Sequence, residues 1–384
     1  MNDELARRRA AIELSGWGAP FRFVQPHNAC FWVYLAMVAT GAWHAVSSVV
    51  PTAGLFAEAN ALAVLTSGIF AAVFLLFLHW ADRWERTPGR LAVAAFVIGG
   101  FGSTMAVAVP GNAAVISLYT KLLGQAWAED WKAGLTAPFV EETAKGVGFL
   151  LLMGLAPVVV RTVYDGLIVG AYVGLGFQVV EDMLYGQNAA AQAFGVDQAA
   201  SVLDTFAVRA LTGVASHALY TALFAAGLIY LIGTPAQPRR LIRGVALVVA
   251  AMLIHGIWDS AAALGGGTIL AQLILLLTTV GAIVALFVAI RLGATRERRF
   301  MHEIMAPEVT NGTLTEAELN ALSGHRRQRR AAVRARAKGT GRRQEKRILR
   351  AARDLAEDLA TANGADTPEV THSRAEIDRQ RTLR

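Results

Sequence analysis

The sequence is poor in the features that mark a soluble or disulfide-built protein. It has a single cysteine, Cys30, which excludes an intramolecular disulfide framework. Charged residues make up only 17% of the 384, and most of the basic ones are crowded into the last quarter. It lacks the H-E-x-x-H spacing of helix-borne zinc peptidases and the residue alternation of a membrane barrel. What it has instead is apolar residue, at 54%, more than a soluble domain of this length needs. The excess points to lipid as the solvent.

Eight runs approach or exceed the roughly 20 apolar residues that cross a bilayer core. They lie near 29–50, 61–80, 90–110, 134–154, 163–187, 205–232, 240–262 and 267–291. With no barrel pattern, each must be a helix, because lipid offers backbone polar groups no other partner. The fold class is therefore all-α and polytopic, with a soluble basic tail. The expected units are a segment over 1–28, a membrane domain over 29–292 and a tail over 293–384. About thirty mostly polar residues precede the first run, and no small-residue cleavage site follows it, so that run is expected to stay as an anchor rather than be removed as a signal.

Charge gives an independent check on the count. With eight crossings, Arg7 to Arg9, Arg22, Arg83, Arg86, Arg90, Arg161, Arg239, Arg240, Arg243 and the tail share one side. The other side holds only Lys121 and Lys132, beside Glu129 and Asp130. The positive-inside rule then places a multi-pass protein in the cell membrane with both termini cytoplasmic. The segment 111–133, with Trp127 and Trp131, is either an interfacial helix on the outer face or a plain loop.

Past residue 293 the composition turns soluble. Thr313 with Glu316, or Thr315 with Glu318, can open a short helix through a capping box. Residues 326–350 hold twelve Lys or Arg against one acid, Glu345. That stretch reads as a solvated, partly disordered tail or as a contact for anionic lipid head groups. Nucleic acid is disfavoured, because no aromatic side chain among the charges offers a base a stacking platform.

Ionisable groups within spans cost about 2.5–3.5 kcal/mol each on insertion scales, so each needs a reason. Span four carries Glu141, Glu142 and Lys145; span five Glu181 and Asp182; span six Arg209 and His217; span seven His255 and Asp259. In the eight-crossing topology Glu141, Glu142, Glu181, His217 and His255 all fall about 10–18 Å below the outer surface. Polar residues from four alternating helices thus meet at one level, as parts of a single site would. Lys145 is i+4 from Glu141 and i+3 from Glu142, so it can neutralise one of them. Asp259 is i+4 from His255 and can orient its ring. Arg209 and His217, eight apart, share a helix face. Glu141 and Glu142 point about 100° apart, which leaves open which of them would act as a base.

Five carboxylates against Lys145 and Arg209 leave an excess of negative charge that shared protons or a bound divalent cation would settle. Glu181, His217 and His255 form a candidate Zn2+ set of two imidazoles and a carboxylate, with a further glutamate left as general base. Histidines alone in a span usually bond a neighbouring helix, and His44 and His79 near span ends fit that role. Gly166, Gly170 and Gly174 repeat every four residues, as in a close helix-packing seam.

Read together, Glu141-Glu142-x-x-Lys145, Asp165-Gly166 through Gly176-Phe177-x-x-x-Glu181 with Tyr185, His217-x-x-x-Thr221 and His255-x-x-x-Asp259 resemble the PrsW family of intramembrane proteases. That family is related to the CAAX prenyl protease and bacteriocin-processing superfamily. The similarity covers roughly residues 30–290. It implies a hydrolase that cuts membrane-anchored proteins near the extracytoplasmic side, with Glu141, Glu142, Glu181, His217 and His255 at the centre and Asp259 in support. One departure is Asp182, where the family commonly has asparagine. If that asparagine holds an oxyanion, a carboxylate serves only when protonated. A proton- or cation-coupled transporter and a membrane scaffold acting through its tail are the rival readings. A transporter would be expected to show repeats or broken helices near the midplane, which the sequence does not display.

Overall fold

The computed structural model describes residues 2–213, 216–335 and 341–382, and among them every regular element is helical. Helix α1 (Asn2–Ser15) precedes α2 (Ala29–Val49), which Asn28 caps by accepting from the Cys30 N–H. Then come α3 (Ala57–Ala81) and α4 (Gly89–Val97), which continues through a π-helical stretch, Ile98–Ala108, into α5 (Val109–Leu123). Next are α6 (Gln125–Leu155), α7 (Val163–Gln192), α8 (Gln198–Thr212), α9 (Ser216–Ile232), α10 (Leu241–Asp259) and the short α11 (Ala261–Leu264). Helix α12 (Ile269–Thr310) leads to four tail helices, α13 (Glu316–Leu322), α14 (Arg326–Ala335), α15 (Gly341–Thr361) and α16 (Pro368–Thr382). A Thr162–Asp165 capping box opens α7, and of the two boxes the tail sequence allows, Thr315–Glu318 is the one that forms.

Among the described residues, six helical stretches are long and apolar enough to cross a membrane: Ala29–Thr52, Ala57–Ala81, Gly89–Leu123, Val163–Gln192, Leu241–Asp259 and Ile269–Thr310. Helices α8 and α9, inclined at 42°, would make a seventh if they are one broken span. Helix α6 has the length, at about 46 Å for its 31 residues, but carries Glu141, Glu142 and Lys145 in its middle. The packing is that of a protein built for lipid. Leu76 of α3, Leu277 and Phe287 of α12 are exposed, whereas Glu142 and Lys145 are fully buried. Helix α7 is the axis. It packs against α9, α3, α4, α8 and the π-helical stretch, and 89% of its most apolar window is buried, against 11% for α12.

The expected glycine seam is where α7 meets α9. A Cβ on Gly166, Gly170 or Gly174 would run into Ile229, Thr221 and the His217 backbone, respectively. Without those side chains the two backbones touch, and α9 is held at a fixed height against α7.

Several boundaries differ from the hydropathy reading. The segment 111–133 is nearly all helix, since α5 runs to Leu123 and α6 starts at Gln125. The expected span over 205–232 is broken; its helical pieces end at Thr212 and resume at Ser216, and residues 214 and 215 lie outside the described residues. The expected boundary at 292/293 falls inside α12, which continues to Thr310. Hydropathy registers where a helix is apolar, and these helices continue into polar sequence or stop within apolar sequence.

The basic tail is folded where described. Helix α15 turns Leu349, Ala352, Leu355, Ala356 and Leu359 inward, and it packs with α12, α13 and α16, while α1 packs on α12. At the centre of this bundle Glu308 is fully buried between two arginines. Arg8 donates to Glu308 Oε1 at 2.7 Å and to the Ile304 carbonyl at 2.7 Å; Arg374 donates to Oε2 at 2.8 Å and Oε1 at 2.9 Å. This carboxylate joins the first helix, α12 and the last helix. Glu308→Ala would leave Arg8 buried and unpaired, at a cost of about 3–5 kcal/mol. Limited trypsin digestion is then expected to cut within 316–382 much faster than in the unaltered protein, with the membrane helices still resistant. An unchanged digestion rate would refute this role for Glu308.

Candidate active site

The site lies where α5, α6, α7, α8, α9 and α10 converge on a cavity of about 140 Å³. Local sequence sets the approach of these helices. Pro138 in α6 has no N–H, so the Gly134 carbonyl loses its i+4 donor. Gly134 and Gly256 face each other there without side chains between them, which brings α10 onto α6 and places His255 against Glu142. Where α8 ends, the Thr212 and Gly213 carbonyls are taken up by Trp258 Nε1 at 3.2 Å and Gln178 Nε2 at 3.1 Å. Side chains of α10 and α7 thus satisfy that helix end, and His217 follows in the first turn of α9.

Glu141, Glu181, Arg209, His217, His255 and Asp259 all line the cavity. Glu142 and Lys145 lie behind them, fully buried. Lys145 Nζ donates to Glu142 Oε1 at 2.7 Å and to His217 Nδ1 at 2.8 Å, and lies 3.5 Å from Glu141 Oε2 and 4.0 Å from the centroid of the Phe177 ring. An ammonium can only donate, so His217 Nδ1 is the acceptor and its Nε2 carries the proton that Glu181 Oε2 accepts at 2.9 Å. His255 Nδ1 sits 3.0 Å from Glu142 Oε1, and its Nε2 lies 3.3 Å from Asp259 Oδ2. Arg209 bonds Glu181 Oε2 at 2.5 Å and also pairs with Asp182.

The adjacent glutamates divide as their angular separation demands. Glu142 is turned inward to Lys145 and His255, and Glu141 is turned to the cavity. Glu141 Oε1 accepts from Asn112 Nδ2 at 2.9 Å, while Oε2 is buried without a hydrogen-bond partner. His217 Nδ1 is 3.7 Å and His255 Nε2 3.8 Å from that oxygen.

Two expectations are corrected. The three groups close enough to hold one ion are Glu141, His217 and His255, not Glu181, His217 and His255. Glu181 is drawn off by Arg209 and serves the far nitrogen of His217 instead. Arg209 and His217 also do not share one continuous helix; they meet through Glu181. Asp182, at the family's asparagine position, is the counter-ion of Arg209 and does not line the cavity. Of the other histidines, His44 bonds the Met105 carbonyl at 2.8 Å, as expected of a helix-packing histidine.

The donor set fits a divalent cation of the zinc type. It has two imidazoles and one carboxylate oxygen without a hydrogen-bond partner, all mutually within 4.8 Å. Each imidazole has its far nitrogen against a carboxylate, Glu181 for His217 and Glu142 for His255, the outer support that metal-binding histidines commonly have. Asn112 and Gln178 also line the cavity. Asn112 was invisible in the sequence because it falls just beyond the apolar run of its helix.

Comparison with known proteins identifies the family. The sequence profile described as PrsW family intramembrane metalloprotease matches residues 87–306, more than half of the chain and every residue of the centre. No curated protein and no solved structure matches.

The glycine seam gives a test of how the centre is held. Gly174→Ala pushes against the His217 carbonyl, whereas Gly68→Ala on α3 meets nothing within 4 Å. Gly174→Ala is expected to lower peptide cleavage by about tenfold or more through displacement of His217, with Gly68→Ala near unaltered activity. Equal activity of the two variants in a cleavage assay on purified protein would show that the seam does not position the site.

Proposed function

The chain belongs to the PrsW family of intramembrane metalloproteases and is a peptidase, and from that premise we propose that Glu141 is the carboxylate at which it activates water against a peptide bond within the membrane. The observation that supports this most directly is the Glu141 Oε2 atom, buried, without a hydrogen-bond partner, and between two imidazole nitrogens at the wall of a cavity. A water there would be polarised by Glu141 and held by His217 and His255. Its oxygen adds to the carbonyl carbon, its proton passes to a carboxylate, and the proton is delivered to the amine nitrogen as the C–N bond breaks. Glu142, Lys145, Glu181 and Arg209 orient the imidazoles and offset the buried charge. The family implies a metal; Glu141, His217 and His255 would hold it, and it would supply a lowered water pKa and a polarised carbonyl. When Glu141 is engaged as a ligand, Asp259, on the same cavity wall 3.3 Å from His255 Nε2, is the carboxylate placed to take the proton.

Counting α6 and the α8–α9 pair with the six apolar stretches gives eight crossings, and the basic residues then place both termini in the cytoplasm. The centre lies in the outer half of the bilayer, so substrates are membrane-anchored proteins cut near the extracytoplasmic side. Arg327, Arg330 and Arg334, along one face of α14, suit anionic lipid head groups at the other surface. The broken α8–α9 pair and the buried acids and histidines are features a cation transporter would share; membership of a peptidase family favours hydrolysis.

Glu141→Gln keeps the shape and removes the base, and is expected to lower cleavage of a membrane-anchored reporter by about 10²-fold or more with insertion intact. Retained cleavage in that variant would overturn the reading. Asp259→Asn separates the two proton routes: a loss comparable to that of Glu141→Gln assigns the transfer to Asp259, and a small loss assigns it to Glu141.

A further inference from the structure

The lone pair that a metal would need on His217 is already in use. His217 Nδ1 is the nitrogen that faces Glu141 Oε2, and Lys145 Nζ donates to it at 2.8 Å. The opposite nitrogen is committed to Glu181. A cation ligated at about 2.0–2.1 Å from Nδ1 cannot share that lone pair with an N–H, and it would also bring two positive charges close together in a buried site. The remaining contacts show what Lys145 does meanwhile. Its ammonium reaches both glutamates of α6 and His217 of α9, and rests on the Phe177 ring of α7. Through Glu142 Oε1 it also governs His255 of α10. The ammonium thus supplies positive charge to the two glutamates of α6, as Arg209 does to Glu181 and Asp182 of α7.

We propose that Lys145 Nζ and a divalent cation are alternative partners of the His217 Nδ1 lone pair, which makes Lys145 a positioning residue that holds the unloaded centre together and sets how tightly the centre takes up metal. In the loaded form Nζ keeps Glu142 and releases His217. Glu142 then holds the ammonium and His255 at once, so the exchange moves one side chain and leaves α6 and α10 in place. This inference rests on the reading of Glu141, His217 and His255 as the ligand set.

The test is a Zn2+ titration, against a competing chelator, of the full chain purified in detergent. Lys145→Met removes the competing donor and its charge with little change in bulk, and is expected to bind Zn2+ about tenfold or more tightly than the unaltered chain, the equivalent of one hydrogen bond to a charged group. If Lys145→Met does not fold, Lys145→Gln, which keeps an N–H for Glu142, carries the same expectation. Adding Glu141→Gln to either variant should abolish the gain, showing that the ion sits at this centre. Unchanged or weaker binding in the lysine variants would overturn the proposal, as would absence of Zn2+ binding in every form. Peptide cleavage by the unaltered chain is scored separately. Cleavage without metal binding would refute the exchange and leave the protease reading standing, while tightened binding without cleavage would do the reverse.

Discussion

A charge placed within a bilayer has to find its opposite inside the protein, and in this chain that requirement is met largely at one atom. Lys145 Nζ touches carboxylates of its own helix and an imidazole of α9, and lies over an aromatic ring of α7. Glu142, which it holds, in turn holds the histidine of α10. Arg209 does the same on the far side, joining α8 to Glu181 and Asp182 of α7. The helices around the cavity are thus tied to one another by the charged groups they bury there. Pairing that makes the charges tolerable at depth also fixes the imidazole orientations, so stability and preorganisation have a common origin here.

That arrangement explains why the two adjacent glutamates are not equivalent. Residues 141 and 142 differ by one step of a helix, yet one faces a cavity and the other faces a cation. Glu142 is saturated at Oε1 by Lys145 and His255. Each glutamate has a second oxygen without a hydrogen-bond partner, but only that of Glu141, whose other oxygen Asn112 binds, belongs to a residue lining the cavity. A single asparagine from α5 therefore sets which way the Glu141 carboxylate presents its unpartnered oxygen.

Much of the centre was legible in the sequence because polar residues in apolar helices are rare enough to be informative singly, and their depths could be compared. Glu141, Glu181, His217, His255 and Asp259 come to one cavity as their positions along the spans suggest. What the sequence left open were relations between helices. Spacing placed Arg209 with His217, but the helix is interrupted and Glu181 intervenes. Counting donors put Glu181 among the metal ligands, while only the packing shows that Arg209 draws it away. In the tail, the charge of residues 326–350 hid an apolar stripe at Leu349, Ala352, Leu355, Ala356 and Leu359 that buries α15.

Helix α12 runs unbroken for 42 residues, about 63 Å. Near one end it carries Glu308, gripped by the first and last helices of the chain; along its apolar part it lies against α10, the helix of His255. Mechanically it is a rod clamped at its foot and resting against a helix that lines the cavity. A torque applied to the bundle at the membrane surface would pass along it, beyond the weak point at Pro307, to the helix that holds one of the two imidazoles.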